Sequence, residues 1–288
     1  MLSVIIPVIN AEKDLPGLLA ALKTQTLRPD EIIVVDTASV DKTADICRND
    51  LAVKLIGIRR KDFDHGGTRD MALRISRGDI VVFLTQDALP ADDKLLENLT
   101  KPLSDPDVAV CTGRQIPKSD ASKMEQLVRE FNYPELSHVR SKEDIAQMGI
   151  KTFFCSDVCA AYNRYTYLEL GGFDHPLKTN EDMFFAAKAI NAGYKIAYAA
   201  DARVYHSHNF TLKEQFRRNY SQGYEMEKHK ALLGEVSKES EGVRLVKHVS
   251  VELLKHGRIG SFIHFGFDCI ARYTGSVAGK NAYRRSVR

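Results

Sequence analysis

Several features that mark other protein classes are missing from this sequence. None of its five cysteines lies in a CxxC pair, so the spacing argues against a structural zinc site and favours reduced thiols. No apolar run approaches the length of about 18 residues that a membrane-spanning helix needs. The N-terminus lacks the basic segment and cleavage site of a signal peptide, and repeats and low-complexity segments are absent. These absences favour a globular protein of the cytoplasm.

Length and composition indicate an ordinary folded chain. Its 288 residues suit one large domain, or one domain with an appendage. Hydrophobic residues make up 44% of the chain, which is enough for a sizeable core. The net charge is only +3, so the overall charge does not indicate a nucleic-acid-binding protein.

Positive charge is concentrated at the C-terminal end. Between Gly242 and Arg288 there are nine basic and two acidic residues. Apolar and basic side chains interleave there, at Val246, Lys247, Val249, Leu253, Leu254 and Lys255. The pattern is typical of an amphipathic helix on a membrane surface, and equally of a helix packed on the main domain, of a dimer contact, or of a solvated face.

The N-terminal third alternates between strands and helices. Continuous apolar runs predict strands over residues 2–8, 31–35, 53–58 and 79–84. Helices are predicted between them, over residues 15–22, 41–47 and 68–76. Strands that are apolar on both faces and separated by helices indicate an α/β fold with a mostly parallel sheet covered by helices on both faces. Ligands bind such sheets at the carboxyl ends of the strands, which here are residues 7–10, 36–41 and 85–87.

The rest of the chain is less regular. Helices are predicted over residues 119–139 and 181–191, the second closed by Gly193. Strands are predicted within residues 153–162 and over residues 196–198 and 204–206. From residue 212 onward the pattern is helical and increasingly basic.

Two aspartates follow buried strands at the predicted binding edge. Asp36 can accept a hydrogen bond from a pyrimidine base, although Asp41 and Thr43 nearby are equally suited to capping the next helix. Asp87 can hold a hard divalent cation on a diphosphate, or it can simply end a turn after its strand.

Three further polar segments offer chemistry, each with a structural alternative. Residues 64–70 predict a glycine-containing turn before a helix, where Arg69 and main-chain N–H groups bind an anion or merely form a loop. Glu181 and Asp182 begin a helix and are either caps or a general base for an acceptor hydroxyl. His206 and His208 lie on one face of an extended segment, so one of them is a candidate metal ligand or a residue at a surface strand end.

Taken in order along the chain, these motifs resemble the family 2 glycosyltransferases of the GT-A fold, over about residues 1–210. The resemblance is carried by Val4-Ile5-Ile6-Pro7, Val34-Val35-Asp36 with Ser39, Asp41 and Thr43, Gly67 and Arg69, Asp87, Gly171-Gly172-Phe173, Glu181-Asp182 and His206. It implies an inverting transferase that uses a nucleoside-diphosphate sugar and a divalent metal ion, Mg²⁺ or Mn²⁺. A helical, basic extension would then occupy residues 211–288.

The resemblance also implies a role for each matching residue. The nucleotide sugar would be bound by Pro7, Val8, Asn10, Asp36, Ser39, Asp41, Gly67, Arg69, Gln86 and Asp87. Asp87 and His206 would hold the metal ion, and Asp182, helped by Glu181, would be the catalytic base. We further expect Asp157 and Arg164 to shape the acceptor pocket, and residues 211–240 to help close it.

A narrower resemblance concerns two segments, residues 63–69 and residues 85–88. Both are similar to those of bacterial rhamnosyltransferases, which implies dTDP-L-rhamnose as donor and a glycan or lipid-linked acceptor in cell-surface polysaccharide synthesis. Two positions depart from the family pattern. Thr85 replaces the first acid of an Asp-x-Asp motif, which bears on metal affinity, and Asn10 follows Ile9 where an aromatic residue is common, which bears on base stacking.

Other functions compete with this interpretation. The donor is alternatively a UDP-sugar. A nucleotidyltransferase would have a glycine-rich, lysine-containing loop after the first strand, and residues 8–12 contain no glycine. A non-catalytic, sugar-nucleotide-binding subunit of a polysaccharide assembly complex is favoured by Thr85 and disfavoured by the Glu181-Asp182 pair. We expect a cytoplasmic protein, with candidate contacts to the inner face of the membrane through residues 242–288 and to a second copy of the chain.

Overall fold

A parallel sheet forms the N-terminal half of the fold, which we describe from a computed structural model covering residues 1–234 and 239–287. Its strands are β1 (Leu2–Val8), β2 (Glu31–Asp36), β3 (Val53–Gly57) and β4 (Ile80–Leu84). They lie in the order β3-β2-β1-β4, and all three pairings are parallel. Every residue of β2 is buried, as expected for a strand covered on both faces.

The second half extends the same sheet with strands of both directions. These strands are β5 (Leu89–Pro90), β6 (Val108–Ile116), β7 (His138–Arg140), β8 (Cys159–Asn163) and β9 (Lys195–Tyr205). β8 lies antiparallel between β4 and β6, and β9 pairs with β6 in parallel. Because two antiparallel steps restore the original direction, β4, β6 and β9 all point their carboxyl ends to one edge of the sheet.

Twelve helices accompany the sheet in the described residues. They are α1 (Leu15–Lys23), α2 (Thr43–Arg48), α3 (His65–Ile75), α4 (Leu95–Thr100), α5 (Lys123–Asn132), α6 (Ile145–Met148), α7 (Arg164–Glu169), α8 (Glu181–Asn191), α9 (Leu212–Lys228), α10 (Lys230–Leu233), α11 (Glu239–Lys255) and α12 (Ile259–Ser286). The core is divided by the sheet into two clusters. Leucines of α1 and α4 pack on one face, and Phe184, Phe185 and Ile190 of α8 pack on the other with α3.

Three elements differ from the sequence predictions. The helix predicted over 119–139 ends at Asn132, because residues 138–140 form β7 and pair with β9. The two short strands predicted over 196–206 are one continuous strand. Helix α3 starts at His65, before the predicted start, because the Asp64 carboxylate accepts a hydrogen bond from the main-chain N–H of Gly67 (2.6 Å) and caps the helix.

Helices α9 and α12 pack unusually closely through glycine. A Cβ atom on Gly279 would lie 2.0 Å from the carbonyl oxygen of Tyr220, and one on Gly275 would lie 2.4 Å from that of Phe216. Any side chain at these two positions would therefore push the helices apart. Residues 235–238 and 288, which fall in the predicted C-terminal extension, lie outside the described residues.

Helix α11 joins α12 and α5 in a small core of its own. Val249 and Leu253, which the sequence pattern placed on an amphipathic surface, are fully buried there against Phe265 and residues of α5. Val246 and Leu254 remain exposed. Across residues 1–234 and 239–287, no helix combines the length and apolarity needed to cross a bilayer.

Candidate functional site

A cavity of about 770 Å³ opens at the edge where β4, β6 and β9 end. Thr85 and Asp87 follow β4, and His206 and His208 follow β9. Residues at the N-terminus of α8 and on one side of α9 also line the cavity. The cavity therefore lies at the carboxyl ends of strands, where the sequence analysis expected a ligand.

Asp87, His206 and His208 form a compact triad in this cavity. The Asp87 Oδ2 atom lies 3.4 Å from His206 Nε2 and 3.3 Å from His208 Nε2. The two Nε2 atoms are 3.1 Å apart. Ligands held at about 2.1 Å from one ion are separated by about this distance when their bonds make angles near 90–110°. The three donors thus fit a divalent metal ion that accepts imidazole and carboxylate, such as Mn²⁺.

A hydrogen-bond chain orients the His206 ring. The Arg129 guanidinium, which can only donate, hydrogen-bonds Gln115 Oε1, so that atom is the amide oxygen. His206 Nδ1 lies 3.0 Å from the same oxygen and must donate its proton to it. Burial lowers the pKa of His206 to about 3, which keeps the ring neutral. The Nε2 lone pair is consequently directed toward Asp87, as in a metal-binding histidine with an outer-shell partner.

The triad is relevant to Thr85, which replaces the first acid of the Asp-x-Asp motif found in many members of the family. Thr85 lies in the cavity wall, where a second carboxylate was expected from the family pattern. His208 provides a third donor beside His206, from the segment that follows β9. The sequence analysis singled out both imidazoles but assigned only His206 to the metal, because extended spacing alone did not show that both rings turn toward Asp87.

Three carboxylates gather in another part of the cavity lining. Asp157 and Glu181 are almost fully buried, and Asp182 is partly exposed to the cavity. The buried Arg69 guanidinium lies between them, with Nη1 3.2 Å from Glu181 Oε1 and Nε 3.4 Å from Asp157 Oδ2. Arg69, expected at the nucleotide, is therefore engaged by the carboxylate cluster.

The protein holds Asp182 by main-chain groups. Its Oδ1 accepts the N–H of Met183 (2.7 Å), and its Oδ2 accepts the N–H of Asp157 (3.0 Å). Burial and the charge of Glu181 nevertheless raise the pKa of Asp182 to about 7. Burial also raises the pKa of Asp157 well above its ordinary value, against the opposing charge of Arg69, while Tyr162 donates its hydroxyl to Asp157 (2.6 Å). A carboxyl group poised near neutral pH is suited to general base chemistry.

The residues expected at the nucleoside form a separate network around the end of β1. The Ser39 hydroxyl donates to Asp36 and accepts the main-chain N–H of Asn10 (2.8 Å). Asp41 accepts the N–H of Glu12 (3.1 Å). These side chains tie the loop after β1 to the loop after β2, so Ser39 and Asp41 position the backbone rather than leave free groups for a ligand.

Gln86, which follows β4, is hydrogen-bonded to the loop after β1. Its amide pairs with the Ile9 peptide, accepting the Ile9 N–H (2.9 Å) and donating to the Ile9 carbonyl oxygen (3.3 Å). Pro7 is partly exposed beside this loop, whereas Val8 is 3% exposed and packs in the core. Only the main chain of Val8 is available to a ligand.

Two of the expected site residues are engaged elsewhere. Arg164 donates to the Leu73 and Arg74 carbonyl oxygens and to Ser76 Oγ (2.8 Å), so its guanidinium is satisfied by the end of α3 and is not available to an acceptor. Gly67 donates its N–H to the cap residue Asp64 within the first turn of α3. Both corrections have one cause: the helix α3 begins earlier and is capped more fully than the pattern indicated.

The structure adds cationic residues to the site that the sequence analysis missed. Arg218 of α9 lines the cavity, lies over the Phe210 ring at 4.2 Å, and has no carboxylate partner within 4.0 Å in the described residues. Lys118, which follows β6, lies 3.7 Å from Asp87. In sequence, Arg218 was one of many basic residues in a helical region, and only the packing of α9 against α12 brings it to the cavity.

Comparison with known proteins agrees with this arrangement. Residues 3–171 match the protein family described as glycosyl transferase family 2. The chain is 45% identical to the O-antigen chain rhamnosyltransferase RfbN of Salmonella typhimurium over 77% of its own length and 71% of that protein. It is 43% identical to the O-antigen chain rhamnosyltransferase WbaN of Salmonella anatum, over 70% of this chain and 64% of that one.

Solved structures share the fold at lower identity. The mannosyltransferase PcManGT from Pyrobaculum calidifontis, in complex with GDP-Man and Mn²⁺, is 18% identical and has a TM-score of 0.67, covering 96% of this chain and 86% of that chain. Residues 1–349 of S. aureus TarS, in complex with UDP-GlcNAc, are 18% identical with a TM-score of 0.56, covering 99% and 92% of the two chains. At these identities the likeness concerns the fold alone.

Proposed function

Because the chain belongs to the family 2 glycosyltransferases, we propose a specific reaction for it: inverting transfer of L-rhamnose from dTDP-L-rhamnose to a hydroxyl group of a cell-surface glycan or its lipid-linked precursor. The relatives named as O-antigen chain rhamnosyltransferases, which are 43–45% identical, support rhamnose as the sugar. The proposed reaction type is supported mainly by one observation. The Asp87–His206–His208 triad and the Asp157–Glu181–Asp182 carboxylates line one cavity.

The triad is the proposed site of the divalent ion. Asp87, His206 and His208 would hold Mn²⁺ or Mg²⁺, and two imidazoles favour Mn²⁺ over Mg²⁺, which prefers oxygen ligands. When bound, the ion supplies positive charge to the departing nucleoside diphosphate. Arg218 and Lys118 add fixed positive charge on the same side of the cavity. This charge compensates for the developing negative charge of the leaving group.

Asp182 is the proposed base. Glu181 is paired with Arg69, so its carboxylate is engaged away from the acceptor. Asp182 faces the cavity, and its two backbone hydrogen bonds fix the orientation of its carboxylate. It would take the proton of the acceptor hydroxyl as the oxygen attacks the anomeric carbon and the bond to the diphosphate breaks. One in-line displacement inverts the configuration at that carbon.

The remaining assignments complete the proposal. Asp36, with Pro7 and Asn10, lines the nucleoside side, and Ser39, Asp41 and Gln86 hold the loops around it. Residues 1–210 form the catalytic unit, and the helices from residue 211 onward close the cavity through α9 and α12. A cytoplasmic location is consistent with the five cysteines, all in the described ranges and all free thiols.

The donor and the reaction are tested together by nucleotide release. The protein is incubated with dTDP-L-rhamnose and Mn²⁺, with and without a lipid-linked glycan acceptor, and UDP-glucose and UDP-GlcNAc serve as competing donors. We expect release of dTDP that requires acceptor, and a product of inverted anomeric configuration by NMR. Acceptor-dependent release from a UDP-sugar alone would contradict the rhamnose donor, and binding without any release would contradict enzymatic transfer.

The pH dependence of the reaction is expected to depend on Glu181. Because the base must be ionised, kcat/KM should rise with pH through about 7, the value to which burial and Glu181 raise the pKa of Asp182. Glu181→Gln removes the neighbouring negative charge and keeps a hydrogen-bond acceptor for Arg69. The acidic limb of the profile should therefore move to lower pH. A limb that stays in place, in a variant that binds donor normally, would show that another group controls the rate.

A further inference from the structure

An apolar stripe runs along the outer face of α12. Ile259, Ile263, Phe267 and Ile270 recur at intervals of three or four residues and are each 55–59% exposed. The opposite face of the helix is buried against α5, α9 and α11. The stripe is therefore not a frayed part of the core but a second apolar face on a helix whose packing is already complete.

The exposed charges of the segment that contains the stripe, residues 241–287, are of one sign. Among the described residues from 241 to 287, no carboxylate is exposed. Glu252 is paired with Lys255, and Asp268 is buried beside Arg272. Lys247 and Arg258 are exposed and have no carboxylate within 4.0 Å in this part of the chain. An apolar face edged by uncompensated cations matches an anionic lipid surface, which offers acyl chains and phosphate groups together.

We propose that Ile259, Ile263, Phe267 and Ile270 of α12 dock the protein on an anionic lipid surface, with Arg258, which directly precedes Ile259, against the headgroups. The inference rests on the proposed function in one respect, namely that the acceptor is lipid-linked. No helix of the described residues spans a bilayer, so the contact is with the membrane surface only.

A second copy of the chain fits this surface less well. A two-fold contact through α12 would place each apolar stripe against its equivalent, and would bring together two C-terminal segments that each carry nine basic and two acidic residues. Like charges facing each other across an interface are unfavourable. A lipid surface with phosphate groups supplies the opposite charge that a second copy lacks.

Docking through the stripe would bring the cavity close to a lipid-linked acceptor. Ser276 and Lys280, farther along α12, line the cavity. Phe267 and Ser276 are nine residues apart, or about 14 Å along the helix axis. Docking through the first half of α12 would thus hold the cavity within a few nanometres of a lipid-anchored acceptor, and would raise the local concentration of acceptor at the site.

The test is co-sedimentation of the full chain with vesicles. Phosphatidylcholine vesicles with and without phosphatidylglycerol are compared, and the probe variant is Ile263→Ser/Phe267→Ser/Ile270→Ser, whose sites are all exposed. The matched control is Leu51→Ser/Leu136→Ser, which removes exposed apolar side chains elsewhere. We expect wild-type and control to bind anionic vesicles and to be released by salt, and the probe variant to bind about tenfold more weakly or less. Nucleotide release with a detergent-solubilised acceptor should be unchanged in the probe variant.

The outcomes separate docking from catalysis. Loss of vesicle binding with intact transfer to the solubilised acceptor supports docking by the stripe. Wild-type protein that does not bind anionic vesicles overturns the inference, whether or not it transfers sugar. A concentration-dependent dimer that the probe variant abolishes, without vesicle binding, would also overturn it and would assign the stripe to a second copy. Vesicle binding by a protein that transfers no sugar would leave docking standing and remove the proposed function.

Discussion

Replacing Asp182 with asparagine is expected to lower transfer by about a thousandfold, within the range that a general base contributes, while leaving donor binding intact. Asparagine keeps the shape of the side chain and one of the two hydrogen bonds, because its single amide oxygen can accept from Met183 or from Asp157 but not from both. It cannot take a proton from the acceptor. Single-turnover transfer and dTDP-L-rhamnose binding by calorimetry, both with Mn²⁺, measure the two properties separately.

The same change should stabilise the fold at alkaline pH. The folded-state pKa of Asp182 is raised to about 7, above that of the unfolded chain, so the carboxyl stabilises the fold below its unfolded pKa and loses that contribution as pH rises through about 7. Above that pH its ionised form is a net cost, which asparagine removes. Because asparagine loses one hydrogen bond at every pH, the test is the change with pH: the free energy of unfolding of Asp182→Asn relative to wild type should rise by about 4 kcal/mol between pH 4 and pH 8, from roughly three pKa units at about 1.4 kcal/mol each. Near-normal turnover of Asp182→Asn would show that Asp182 is not the base. An equal stability difference at both pH values would show that the pKa of Asp182 is not raised in the folded protein.

The second large effect is expected on Mn²⁺-dependent donor binding when a residue of the Asp87–His206–His208 triad is replaced. His208→Ala should weaken Mn²⁺-dependent donor binding by at least about a hundredfold, since even outer-shell changes commonly cost roughly 10–100-fold. Asp87→Asn, which keeps the size of the side chain, should do the same. Gln115→Leu leaves all three donors but removes the acceptor that orients His206, so a loss of about tenfold is expected.

Controls for the triad come from histidines outside the cavity. His256 is exposed at the end of α11, and His256→Ala should bind Mn²⁺ and donor as wild type does. Titration of Mn²⁺ by electron paramagnetic resonance, without donor, reports the ion directly. If His208→Ala retained wild-type Mn²⁺ affinity while Asp87→Asn lost it, the metal would be held by Asp87 and His206 without the second imidazole.

The N-terminal sheet could be predicted because its signal is local. A strand such as β2, which is apolar at every position from residue 32 to residue 35, is expected to be buried on both faces. The polar residues at the ends of such parallel strands then meet at one edge of the sheet. Asp36 and Asp87 were located in this way. The α8 acids were also found from sequence, because two carboxylates before an apolar helix stand out from their surroundings.

What could not be predicted depends on packing over long sequence distances. The pairing of Gln115 with His206 joins β6 to the end of β9, and neither residue signals the other in sequence. Arg69 looked like a ligand for an anion, but its partners Asp157 and Glu181 lie more than eighty residues away along the chain. Arg164 was misplaced for the same reason: its partners are the carbonyl groups that end α3.

The glycine contacts between α9 and α12 bear on how mutational scans of this protein should be interpreted. Gly275 and Gly279 do not line the cavity, yet a methyl group at either would separate α12 from α9, and with it Lys280 and Arg218 from the cavity. A screen that scores only sugar transfer would rank these two glycines with the acids proposed for catalysis. Only a parallel measurement of folded protein would tell apart positions that perform the chemistry from positions that keep two helices close enough for it to occur.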